Sequence, residues 1–171
     1  MADLPEEIPE NPRQDADRFI TLEMARWRLA SVWFPAVALI FLILIGQSQF
    51  GAYGEHMQRA WGWALPNFMP TTALIISVFA ADAFSPYSKT ETLVRKSFAR
   101  LALGISIFYV AVMLFSLLIQ PFINDPTNAE DPVLAKLKLL EASNLWLAPL
   151  QSLVVAAMGV LFFLNKNKGT K

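Results

Sequence analysis

Cysteine is absent from the 171 residues, which excludes disulfides, thiolate catalysis and cysteine-ligated metals. Histidine occurs once, at His56. A lone imidazole beside Glu55 falls short of the three or four ligands a metal site needs, and a surface position is expected for it. Charge is scarce too. Lys, Arg, Asp and Glu make up 16% of the chain, against about 25% in an ordinary soluble domain. The 14 bases and 14 acids cancel, so nothing points to nucleic acid as a partner. There is no Gly-rich phosphate loop and no HExxH, and a Ser/His/Asp set would have to be built on His56. These absences leave no catalytic residue, no cofactor site and no metal site to assign.

The spacing of the few charges is what the sequence offers instead. Residues 29–54, 60–81, 101–124 and 142–165 contain none. Each run exceeds the ~20 residues that carry a helix across ~30 Å of hydrocarbon. A soluble helix of that length would show a polar face. In lipid the backbone must satisfy its own hydrogen bonds, so such runs are helical. The expected fold is all-α, a four-helix transmembrane bundle of a multi-pass membrane protein. The expected spans are about 29–50, 65–84, 98–122 and 145–164, within a transmembrane domain of 29–165.

Orientation follows from Lys and Arg. Eleven of the 14 lie before the first span, between the second and third, or after the fourth; the alternate segments hold three, Arg59, Lys136 and Lys138. Both termini are therefore expected in the cytoplasm, and the first span reads as a retained signal anchor rather than a cleaved signal peptide. Trp27 and Trp33 are expected as interfacial anchors on the inner side, and Trp61, Trp63 and Trp146 on the outer, because indole pairs an apolar body with a polar tip. The sparse loops and short tail (166–171) resemble bacterial inner-membrane proteins in style, which makes that membrane the expected location.

Residues 1–14, with three prolines and four carboxylates, are expected to form a disordered acidic tail. From 15 to 28 the helical spacing of Phe19, Leu22, Arg26 and Leu29 predicts an amphipathic interfacial helix at the cytoplasmic surface. The core of span one, 37–45, reads as lipid-facing. Ser88 with Glu91 is a capping-box signal, so the third helix is expected to begin near Lys89 and to be the longest. Asp131-Pro132 predicts a short outer helix merging into, or bent against, span four. Ala73, Ser77 and Ala81 on span two, and Ala148, Ser152 and Ala156 on span four, recur every fourth residue. Such ridges let helix backbones approach closely, and spans two and four are expected to pack through them.

No ionisable group occupies the middle of any span, which argues against proton relays and voltage sensing. The nearest is Asp82, at the inner end of span two. A carboxylate is disfavoured at a helix C-terminus, so a structural ion pair with Arg95, Lys96 or Arg100 is expected. Those three bases should also attract anionic lipid. Gln120, Gln151, Ser106 and Ser116 are expected to bond between helices. The bilayer is the expected environment, with other membrane subunits or a second copy of the chain as partners. Three functions fit, in descending order: an accessory or scaffolding subunit; an oligomeric pore or membrane-perturbing effector, as in a toxin or defence system; and a small transporter or lipid-modifying enzyme.

Overall fold

The computed structural model describes residues 18–84, 92–122 and 132–163. Its first element is a short extended segment, β1 (Phe19–Thr21), which pairs antiparallel with β2 (Leu93–Arg95) in the register Phe19 to Arg95, Ile20 to Val94 and Thr21 to Leu93. Four long helices follow among the described residues: α1 (Leu22–Gln49), α2 (Met57–Phe84), α3 (Lys96–Ile119) and α4 (Pro132–Phe163). All four are long and apolar enough to cross a membrane.

Local chemistry sets the ends of α1. The Thr21 side chain accepts a hydrogen bond from the Met24 N–H at 3.3 Å, and Glu23 sits in the first turn, an N-cap with a dipole-matched acid. At the other end Gly51 takes φ +71°. This allows the Schellman closure, with Ala52 N–H bonded to Gln47 O (2.9 Å) and Gly51 N–H to Ser48 O (3.2 Å). Gly54, at φ +50°, supplies the second reversal. Tyr53 is buried under this turn with its hydroxyl on Gln47 Oε1. Burial pushes its phenol up to about 12, so it remains a neutral donor throughout the physiological range.

Successive helices run in opposite directions. Leu22, Phe84, Lys96 and Phe163 therefore share one end, the basic end, with Arg18, Arg26, Arg28, Arg95 and Arg100. In cross-section α1 and α4 each touch α2 and α3, which puts α1–α4 and α2–α3 on the diagonals. Buried residues fall on one stripe per helix, for example Leu22, Arg26, Leu29, Trp33, Ala36, Ile40 and Leu44 on α1, the 3–4 spacing of a core-facing helix. The outer faces are equally apolar: Leu42, Ile45, Phe108, Phe115 and Leu153 are exposed.

Several boundaries differ from expectation. No separate helix covers 15–28 among the described residues: 19–21 is extended, and from Leu22 the chain is already α1. The third helix begins at Lys96, not near Lys89, because Leu93–Arg95 spends its backbone hydrogen bonds on β1. It is the shortest of the four at 24 residues; α4 is the longest at 32. Helix α2 begins at Met57, eight residues before the expected span, while the outer helix merges into span four as one helix from Pro132, the first of the two arrangements expected. Residues 37–45 are not wholly outward-facing, since Val37, Ile40 and Leu44 are buried. The acidic tail 1–14, the Ser88–Glu91 cap and the tail 166–171 lie outside the described residues.

Candidate functional site: a polar centre and an arginine clasp

Two groups of polar side chains interrupt the apolar interior. The first grows out of a defect in α2. Pro70 has no N–H, so the carbonyl of Pro66 one turn earlier loses its helical donor. Gln151 of α4 fills the gap, its Nε2 donating to Pro66 O at 2.8 Å. Beside it Asn67 is buried, with Nδ2 donating to Trp63 O (2.6 Å) and to Asn144 Oδ1 (3.0 Å). Trp63 Nε1 donates to Ser143 Oγ at 3.0 Å. These bonds form the α2–α4 contact. From the opposite side Tyr109 of α3 reaches across the diagonal and donates to Asn67 O at 2.6 Å. Its ring stacks on Trp33 of α1, centroids 5.9 Å apart and planes at 27°. All four helices therefore meet around Tyr109 and Asn67. Thr71 Oγ1, Ser106 Oγ and Trp33 Nε1 are buried around the same centre without a partner.

The repair of the proline defect is testable by a double-mutant cycle. Gln151→Leu is expected to cost about 1 kcal/mol in detergent unfolding, the worth of one interhelical bond plus an orphaned carbonyl. In a Pro70→Ala background, where residue 70 regains its N–H, the same substitution should be nearly neutral. Equal costs in both backgrounds would mean that Gln151 does not serve that carbonyl.

The second group is at the basic end. Arg26 sits on the buried stripe of α1, with its side chain 7% exposed. Its Nη1 donates to Asp82 Oδ2 at 2.6 Å and its Nη2 to Phe162 O at 3.1 Å, while its guanidinium lies 5.5 Å from the Phe162 ring centroid. One side chain thus ties α1 to α2 and, over the other diagonal, to a carbonyl in the last turn of α4. The negative end of the α4 dipole favours a cation there. Asp82, half exposed, is the outer member of the pair.

The expected partner of Asp82 is thereby corrected. It is Arg26 of α1 rather than Arg95, Lys96 or Arg100. The reason is geometric: Arg26 lies one turn inside the bundle and faces α2. Arg95 is held in β2, whereas Lys96 and Arg100 line a cleft between α1 and α3. The small-residue ridges are corrected too. Helices α2 and α4 are neighbours, but Ala73, Ser77, Ala81, Ala148, Ser152 and Ala156 are all exposed, and the hydroxyls of Ser77 and Ser152 bond back to Leu74 O and Ala148 O of their own helices. Of the expected tryptophan anchors, Trp27 and Trp146 are exposed and Trp61 is partly buried with Nε1 on Ser48 Oγ, but Trp33 and Trp63 are core residues. Of the scattered polar groups, Gln151 bonds between helices, Ser116 bonds to Val112 O of its own helix, and Ser106 Oγ and Gln120 Oε1 have no partner.

Sequence reasoning missed Arg26, Asn67, Tyr109 and Ser143 as structural centres. Two signals were present: an arginine in register with Leu22 and Leu29, and a proline whose lost N–H demands a donor from elsewhere. Chemically, the centre holds amides, hydroxyls and indoles, which can satisfy backbone groups and bind by hydrogen bonding but supply no acid–base pair. Among the described residues no three His, Asp or Glu side chains gather as metal ligands. No protein-family model, curated protein or solved structure matches the chain, so its geometry is the ground on which a role is assigned.

Proposed function

We propose that the four helices cross a bilayer with the basic end in the cytoplasm, and that the chain is an accessory or scaffolding subunit that packs against other membrane helices. Insertion is supported by the apolar coat on every helix, and orientation by the concentration of arginine and lysine at one end. Both termini then face the cytoplasm, and the short connections suit a bacterial inner membrane.

The observation that carries the subunit role is the exposure of both small-residue ridges. In lipid, apolar burial gives helices little reason to associate; close backbone approach over small side chains does. Ala73, Ser77 and Ala81 on α2, and Ala148, Ser152 and Ala156 on the adjoining α4, offer that approach and lie unused within the bundle. The middle of the bundle, held by hydrogen bonds between uncharged groups, with the Arg26–Asp82 pair confined to the basic end, suits a part that organises others.

The absence of cysteine makes the test clean. Single Ser77→Cys and Ser152→Cys variants, crosslinked in native membranes, should give a defined adduct, with a partner subunit or a second copy. Leu42→Cys, on the outer face of α1, should not. Ser77→Leu combined with Ser152→Cys, and Ser152→Leu combined with Ser77→Cys, should leave the fold within about 0.5 kcal/mol of wild type, as for exposed sites generally, while abolishing the adduct of the remaining cysteine. A chain that is monomeric in the membrane and uncrosslinked at both serines would overturn the reading.

A further inference from the structure

Between α1 and α3 at the basic end lies a cleft of about 200 Å³. Arg28, Lys96 and Arg100 line it, together with four apolar residues, Ile20, Ala25, Ala99 and Leu103; among the described residues no carboxylate does. Among the described residues neither Arg28 nor Arg100 forms an ion pair. Converging cations repel unless an anion joins them. The start of α3 adds to the demand. Its N-cap, Arg95, makes no side-chain capping bond, and its first turn has no acid, whereas α1 has both. Ala99, in the first turn of α3, is part of the cleft wall, so the positive helix end adjoins it, with the Lys96 N–H already taken by Arg18 O at 2.8 Å. The shape is held in advance by the β1–β2 ladder, which fixes Ile20 opposite Val94.

Depth and wall chemistry select the anion. The charge-free runs begin at the residues immediately after Arg28 and Arg100, Leu29 and Leu101. Both guanidiniums therefore stand at the boundary where a helix enters hydrocarbon, the level of lipid phosphates. Planar guanidinium groups match phosphate oxygens in two-pronged fashion. A freely hydrated anion would gain nothing from Ile20, Ala25 and Leu103, but a glycerol backbone and acyl chain would cover them.

We propose that this cleft binds the phosphate of an anionic phospholipid, with Arg28 and Arg100 on its oxygens and its acyl chains along the apolar wall. The proposal rests on the bilayer reading given above. The test uses the full-length chain in mild detergent. Its unfolding temperature is followed during titration with phosphatidylglycerol, with phosphatidylcholine and with inorganic phosphate. Phosphatidylglycerol should raise the midpoint saturably and phosphatidylcholine should not. The double variant Arg28→Gln, Arg100→Gln should weaken the response by about tenfold or more, from the loss of two surface cation–lipid contacts. Arg59→Gln, at the far end, should respond as wild type, and the lysine pair Arg28→Lys, Arg100→Lys should retain part of the response. The side chains involved are exposed, so the lipid-free midpoint of the variants reports whether the fold is intact.

Equal responses to the two lipids, or an unaltered response in the double glutamine variant, would overturn the proposal. A full response to inorganic phosphate would replace it with a free-anion site. A response that appears only after removal of residues 1–14 would make the acidic segment the occupant. Failure of the bilayer reading itself would register differently, as a chain that stays dispersed without detergent.

Discussion

Asp82→Ala is expected to destabilise the bundle by about 3 kcal/mol, and Arg26→Met by only about 1–2 kcal/mol, although the two residues share one ion pair. The asymmetry comes from burial. Arg26 is the enclosed member, at 7% side-chain exposure against 50% for Asp82. Removing the carboxylate leaves a cation in the bundle with the Phe162 carbonyl as its remaining acceptor. Removing the arginine leaves a half-exposed carboxylate that water and headgroups can solvate, and methionine keeps the apolar stem packed on the core. The double variant should cost little more than Arg26→Met alone, a coupling of nearly 3 kcal/mol. Thermal or denaturant unfolding in detergent reads all three. Additive costs would show that the two groups act independently, and a Asp82→Ala variant as stable as wild type would remove the clasp from the account of stability.

The second large effect is at Tyr109, the residue through which all four helices communicate. Tyr109→Phe removes the bond to Asn67 O, which keeps its helical donor, and a long contact to Asn67 Oδ1 at 3.5 Å, so the loss should be about 0.6–1 kcal/mol. Tyr109→Ala also removes a fully buried ring stacked on Trp33. In a soluble core the cost of such a truncation includes transfer of the ring from water. On the bilayer reading proposed above, the separated helices would already sit in hydrocarbon, and the packing term remains. A cavity of roughly 100 Å³ at ~24 cal/mol per Å³ gives about 2.4 kcal/mol, and with the lost bond about 3 kcal/mol. A Tyr109→Phe variant as damaged as Tyr109→Ala would mean that the hydroxyl, not the ring, holds the centre together.

Of the polar contacts, the far-end pair Arg59–Glu141 (3.2 Å) is the instructive contrast. Both members are nearly half exposed, so it belongs with the surface pairs worth ~0–1 kcal/mol. The weight falls on groups that cannot reach water, and that is why the clasp and the central amide carry the two strongest expectations.

The four helices were determined by the sequence alone, because a charge-free run longer than a bilayer is thick has one backbone conformation that satisfies its own hydrogen bonds. The start of the last helix was legible as well, in Asp131-Pro132. What only the tertiary structure decided was which way each helix faces. In a soluble bundle, polar residues mark the outside. Here Leu44 faces the core and Leu42 the exterior, and hydropathy does not distinguish them. The same lack of contrast put Ala73, Ser77 and Ala81 inside by inference and outside in fact, made Trp33 and Trp63 look like anchors when they are core, and gave Asp82 the wrong arginine. With apolar side chains on both the inner and the outer faces of the helices, the choice of face passes to shape and to the few hydrogen bonds that cannot be left unmade. Those are long-range matches, Pro66 with Gln151, Asn67 with Tyr109 and Asn144, Arg26 with Asp82 and Phe162, and a one-dimensional pattern does not encode them.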